Sequence, residues 1–143
     1  MTIPELENLV RVGQVRSEPC TQSEFDGLLT AGSTAMADAR NEVLAPQSRF
    51  ALAYNAAHAF ALAALRWQGY RSPNRYVAFQ AVPHTLGLSA QITRVLSKAQ
   101  QLRNLAEYEG HFDVDIAFLA ELMSAVEQLR SSVVKLGPMP AAG

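Results

Sequence analysis

Hydrophobic positions along this chain recur every three or four residues and almost nowhere every two. Ile92, Val95, Leu96, Ala99, Leu102 and Ala106 keep that spacing, as do Ile116, Leu119, Leu122, Met123, Val126, Leu129 and Val133. Each run predicts a helix with one apolar face, the first over about 90–109, the second from Asp113 or Asp115 to about Leu136. Ser89 and the two aspartates stand where caps belong, and Gly110 and the pair Gly137-Pro138 where helices stop. Upstream, residues 47–68 are apolar almost all round, with Ala51, Ala53, Ala56, Ala57, Ala59, Ala61, Ala63 and Ala64 covering much of the circumference. Such a helix belongs at the centre of a bundle, where small side chains admit close neighbours. Gly69 ends it.

The remaining segments fit the same picture. "TQSE", residues 21 to 24, has the form of a capping box with Thr21 as cap. It predicts a helix over about 22–44, weakened by Gly27 and Gly32 and ended by Pro46. A short amphipathic helix is expected over 4–15, with Pro4 in its first turn. "YRSPNRY" (70–76) predicts a loop, and "RYVAFQAVPHTLGL" (75–88) a short helix interrupted at Pro83. No sustained strand alternation appears. The expectation is an all-α fold: a bundle of four long helices with one or two short ones. It forms a single domain over 1–143, with 1–20 as an N-terminal short helix or arm and 137–143 as a flexible tail.

Composition narrows the class. Of 143 residues 49% are hydrophobic, enough for a substantial core. A single cysteine, Cys20, excludes an intramolecular disulfide and any multi-cysteine metal site, and suits a reducing, cytoplasmic setting. The acidic start "MTIPELENLV" lacks the regions of a signal peptide. The most apolar uncharged run, "FALAYNAAHAFALAAL", has 16 residues with Asn55 and His58 inside it. That is short of the roughly 20 apolar residues a bilayer requires, so no membrane partner is expected.

The net charge of −1 conceals a segregation. Residues 1–42 carry three basic and seven acidic side chains, and residues 107–143 two basic and six acidic. Between them Arg49, Arg66, Arg71, Arg75, Arg94, Lys98 and Arg103 meet no acid at all. The basic middle is either an anion-binding surface or the counterpart on which the acidic ends fold back.

The candidate chemistry gathers near the end of the 90–109 helix. Arg103 and Glu107 are four apart and share a face, as do Asn104 and Tyr108. Glu107 and Glu109 lie in a last turn, where negative charge is disfavoured, so they call for cationic partners such as Arg49, Arg71 or Arg75. Arg103, Glu107 and Glu109 are thus a candidate structural ion-pair cluster. Trp67, Tyr76 and Phe79, near Arg66, Arg71 and Arg75, can stack on bases or close the end of a bundle. His58 is either a general base facing Arg103 or a core histidine hydrogen-bonded to a neighbour such as Tyr108. His84, after Pro83, reads as a loop or helix-end residue. The histidines lack metal-ligand spacing, and no GxGxxG, P-loop, GxSxG or CxxC occurs, so neither a metal nor a cofactor is expected.

"RFALAYNAAHAFALAALRWQGYR" (49–71) and "LRNLAEYEG" (102–110) together resemble the HEPN superfamily, the higher eukaryote and prokaryote nucleotide-binding domains. The resemblance extends over roughly 45–130. It implies a four-helix bundle, commonly a homodimer, and, in the nuclease members, metal-independent RNA cleavage. There an arginine and a histidine four to six residues apart line a cleft at the dimer interface. Arg103 matches that arginine and Asn104 the polar residue beside it, but Tyr108 stands where the histidine is expected. His111 follows too late, beyond Gly110. A tyrosine ordinarily holds its proton to about pH 10, which makes it a poor base near neutrality.

The expected function is therefore a non-catalytic member that binds RNA, nucleotide or a protein partner, through Arg71, Arg75, Arg103, Asn104 and Tyr108. One alternative is a toxin-like ribonuclease of the toxin–antitoxin kind, with Arg103 holding phosphate and His58 or Tyr108 moving protons. Another is a structural dimerisation module.

Overall fold

The computed structural model describes residues 3–72, 74–110 and 113–140, and the fold is all-α. A short α1 (Pro4–Arg11) leads into four long helices, α2 (Gln22–Ala39), α3 (Pro46–Trp67), α6 (Ala90–Glu109) and α7 (Ile116–Val134). Two short helices, α4 (Arg75–Gln80) and α5 (Val82–Thr85), bridge α3 to α6. Their separation follows from Pro83, which has no N–H to continue a helix and sits in the first turn of α5.

Local chemistry sets the ends. Thr21 Oγ1 accepts from the Glu24 N–H at 3.1 Å, which starts α2. Asp115 does the same for Ala117 at 2.9 Å and starts α7. Ser89 occupies the cap position of α6 without a side-chain cap bond. Gly110 closes α6 in the left-handed conformation, at φ 86°. Two helices are shorter than their apolar patterns predict. α2 stops at Ala39 because Asn41 turns the chain, its Oδ1 accepting from the Val43 N–H at 3.1 Å. Helix α1 stops at Arg11, before Gly13 at φ 80°.

The centre is α3. It packs along α2 and α7 and touches α4, α5 and α6. Tyr54, Phe60, Leu65 and most of its alanines are buried, as an all-round apolar helix requires. Against α2 the approach is close: a Cβ on Gly32 would lie 2.7–3.0 Å from ring atoms of Phe60. Phe118, Leu122, Val126 and Leu129 of α7 extend this core. A second apolar cluster joins Leu6 of α1 and Val15 to Leu65, Tyr70, Val77 and Ala81.

One element has no counterpart in the sequence pattern. Strand β1 (Arg16–Ser17) pairs antiparallel with β2 (Tyr70–Arg71), opposing Arg16 to Arg71 and Ser17 to Tyr70. Two residues are too few to show alternation, and the pairing ties the N-terminal arm to the end of α3. The C-terminal segment is tied there as well. Trp67 Nε1 donates to the carbonyls of Gly137 and Pro138, each at 3.3 Å, and the Met139 N–H donates to Gln22 Oε1 at 2.7 Å. The part of the expected flexible tail beyond residue 140 lies outside the described residues. No helix among the described residues is long and apolar enough to cross a membrane.

Candidate functional site

The basic middle of the chain divides into three groups with different fates. The first is at the end of α3. Arg66 is buried, and its guanidinium donates to both carboxylate oxygens of Glu24 at 3.1 Å. It also donates to the carbonyls of Glu18 and Pro19 at 2.8 Å and of Tyr70 at 3.1 Å. Arg71 donates to Glu18 and, at 2.5 Å, to Glu24. The hydrogen bond from Arg66, then that from Arg71, holds the Glu24 carboxyl down at about 2. Glu18 is lowered mainly by Arg71, which is itself raised mainly by Glu18. Glu24 therefore does not reach back to complete a capping box.

Arg71, a candidate for the binding patch, thus directs its donors at two carboxylates and keeps about a third of its side chain exposed. Here the acidic N-terminal part folds back on the basic middle. Burial raises the neighbouring Cys20 thiol, which works against nucleophilic use at neutral pH. Arg75 opens α4, and its side chain lies outside the described residues.

The second group surrounds Arg103. Its Nη2 is 3.1 Å from Glu107 Oε1, and its guanidinium lies over the ring of Tyr54, 5.0 Å from the centroid. Tyr54 meets Phe79 edge-on at 5.8 Å, and Phe79 meets His58 edge-on at 6.3 Å. Arg103 and His58 are thus associated with one row of rings through Tyr54 and Phe79. Arg103 retains about a third of its side-chain exposure, at 34%. Asn104 is exposed, and Tyr108 projects into solvent at 91% exposure, so Tyr108 does not pack on the half-buried His58. No ion pair reaches Glu109 among the described residues. Of its expected partners, Arg49 donates instead to the Ala39 carbonyl at 2.8 Å and Arg71 to Glu18 and Glu24. His111 lies outside the described residues.

The third group was not read as a unit in the sequence, although Tyr108 was a candidate there. Arg94, Lys98, Gln101, Leu105 and Tyr108 follow one another at intervals of four, three, four and three, and all five are exposed. That spacing makes one stripe along the outer face of α6, about 21 Å long at 1.5 Å per residue. From Ala90 to Ala106 the helix carries no acid. Arg94 Nη2 donates to Gln91 at 2.9 Å, and Lys98 Nζ sits 4.6 Å from the Phe118 ring centroid. Among the described residues neither cation has a carboxylate partner. Arg103, nine residues from Arg94, faces the opposite side of the helix. The periodicity that marks an apolar face would have marked this stripe too, had it been applied to the polar positions.

Beside the stripe, α4, α5 and α6 enclose an open groove of about 670 Å³, with Gln80, His84, Thr93 and Ser97 in its wall and Arg94, Lys98 and Gln101 along its rim. No group of three His, Cys, Asp or Glu able to hold a metal ion occurs among the described residues. Compared with protein-family models, with curated proteins and with solved structures, the chain matches none.

Proposed function

We propose that this protein is a non-catalytic RNA-binding module of the HEPN-like kind, acting as a homodimer, with α6 as its recognition helix. The observation that carries this reading is the exposed stripe from Arg94 to Tyr108. Cations without a carboxylate partner suit phosphates, and an exposed tyrosine ring suits an unstacked base. Single-stranded RNA supplies both along one line. Arg103 takes a positioning role: it is held between Glu107 and Tyr54 and helps fix the last turns of α6 against α3. Ile116, at 57% exposure, leaves apolar surface near the α6–α7 connection that suits a second copy of the chain. Nuclease chemistry has less support, because Tyr108 stands in place of the histidine and points away from the row of rings.

The test is fluorescence anisotropy with a labelled single-stranded RNA at low salt. Wild type binds, and replacing Arg94 and Lys98 by glutamine weakens binding. The slope of log affinity against log salt falls by about 1.4, at about 0.7 per phosphate contact on a single strand. Tyr108→Ala lowers affinity without changing that slope. No binding at low salt removes the proposal. Cleavage of RNA in EDTA by wild type but not by Arg103→Ala replaces it with the ribonuclease reading. Sedimentation equilibrium at micromolar concentration reports the dimer.

A further inference from the structure

The groove beside α6 differs from the stripe in shape and chemistry. Its volume of about 670 Å³ lies within the range of small-molecule sites, whereas the stripe is an open helix face. Every polar side chain that lines it can donate a hydrogen bond, and none is a carboxylate. In a chain with 13 acidic residues against 12 Lys and Arg, that exclusion defines the kind of ligand admitted. One carboxylate, that of Glu5, stands outside the lining, 4.0 Å from Nδ1 of His84.

The donors converge from three helices. Arg94 and Lys98 bring charge from α6, and His84 brings an imidazole from α5. Gln80 of α4 donates to Ser97 Oγ at 3.1 Å. That bond occupies an acceptor site on the serine oxygen and leaves its hydroxyl proton free to be donated elsewhere. The Thr93 hydroxyl oxygen, in the same wall, is buried and has no hydrogen-bond partner among the described residues. Pro83 and Ala90 supply the apolar part of the lining.

We infer that this groove binds a phosphate monoester attached to a nucleoside-sized body, with Arg94 and Lys98 on the phosphate oxygens and Ser97 donating beside them. A guanidinium and an ammonium match the charge of a dianionic phosphate, and charge-assisted donors are the strong ones. The same chemistry is offered by a free mononucleotide and by the phosphorylated end of an RNA lying along α6. The second source rests on the RNA-binding reading; the first does not.

Calorimetric titration compares adenosine 5′-monophosphate with adenosine. Anisotropy compares one short single-stranded RNA carrying a 5′-phosphate with the same RNA carrying a 5′-hydroxyl. The expected result is binding of the monophosphate and not of the nucleoside, weakened at least tenfold in the Arg94→Gln, Lys98→Gln double variant. Both substitutions are on exposed positions, and circular dichroism melting checks that the fold is kept. Ser97→Ala, off the stripe, weakens the monophosphate and leaves 5′-hydroxyl RNA binding unchanged. A gain for the phosphorylated RNA assigns the groove to RNA ends, and equal affinity for the two RNAs, with monophosphate bound, assigns it to a free nucleotide. RNA binding without monophosphate binding or any end preference overturns the groove and leaves the α6 reading standing. Monophosphate binding without RNA binding does the reverse, and failure of both ligands removes both.

Discussion

Among the described residues Arg66 carries the largest polar commitment, with one buried guanidinium serving three carbonyls and a carboxylate. Replacing it with methionine fills the space but strands those acceptors. The expected loss is about 3 kcal/mol, toward the lower end for breaking a buried pair, because its glutamate partners keep roughly a third of their surface in solvent. Urea unfolding followed by circular dichroism measures it. The same contacts predict an acid limb. The Glu24 carboxyl is held at about 2, below its ordinary 4.5, so its contribution is fully present above about pH 4.5 and declines as pH falls toward 2. Unfolding midpoints across that window should fall in wild type and fall less in Arg66→Met. None of this was legible from spacing: Glu18, Glu24 and Arg66 are distant in sequence, and only the fold brings them together. The Arg103–Glu107 pair was legible, because four residues on a helix make neighbours of any two side chains.

The elements were more legible than the contacts between them. Cap residues, the Pro83 break and the apolar faces of α6 and α7 are local facts, and the helices follow from them. What the pattern overstated was length, because Asn41 and Gly13 end α2 and α1 by turn chemistry that apolar spacing does not register. Gly27 and Gly32 look alike in sequence, as two weak points of one helix, yet they differ in the fold. A Cβ at 27 meets nothing within 4 Å, whereas one at 32 runs into Phe60. Gly27→Ala should therefore stabilise by up to about 1 kcal/mol through helix propensity. Gly32→Ala should destabilise, since overpacking costs about 1–3 kcal/mol and exceeds the propensity gain. Thermal melts of the two variants should move in opposite directions. A rise in both would show that Phe60 yields without cost.

At the scale of the molecule, the segregated charge is disposed differently at different places. The N-terminal acids neutralise Arg66 and Arg71, while among the described residues Arg94 and Lys98 of α6 have no carboxylate partner. Composition reveals the imbalance but not its geography, because that depends on which helix faces are turned inward. The same limit applies to the groove, which three helices form jointly and no single segment announces. The C-terminal segment supplies a means of watching the assembled molecule. The chain has one tryptophan, and its indole N–H is directed at the backbone of residues 137 and 138. Its emission is consequently an internal gauge of whether the chain end is seated. Truncation after Leu136 should shift the fluorescence maximum to longer wavelength while the far-ultraviolet dichroism stays near that of the intact chain. A ligand or partner that pries the end loose would reveal itself by the same colour change, with no added label.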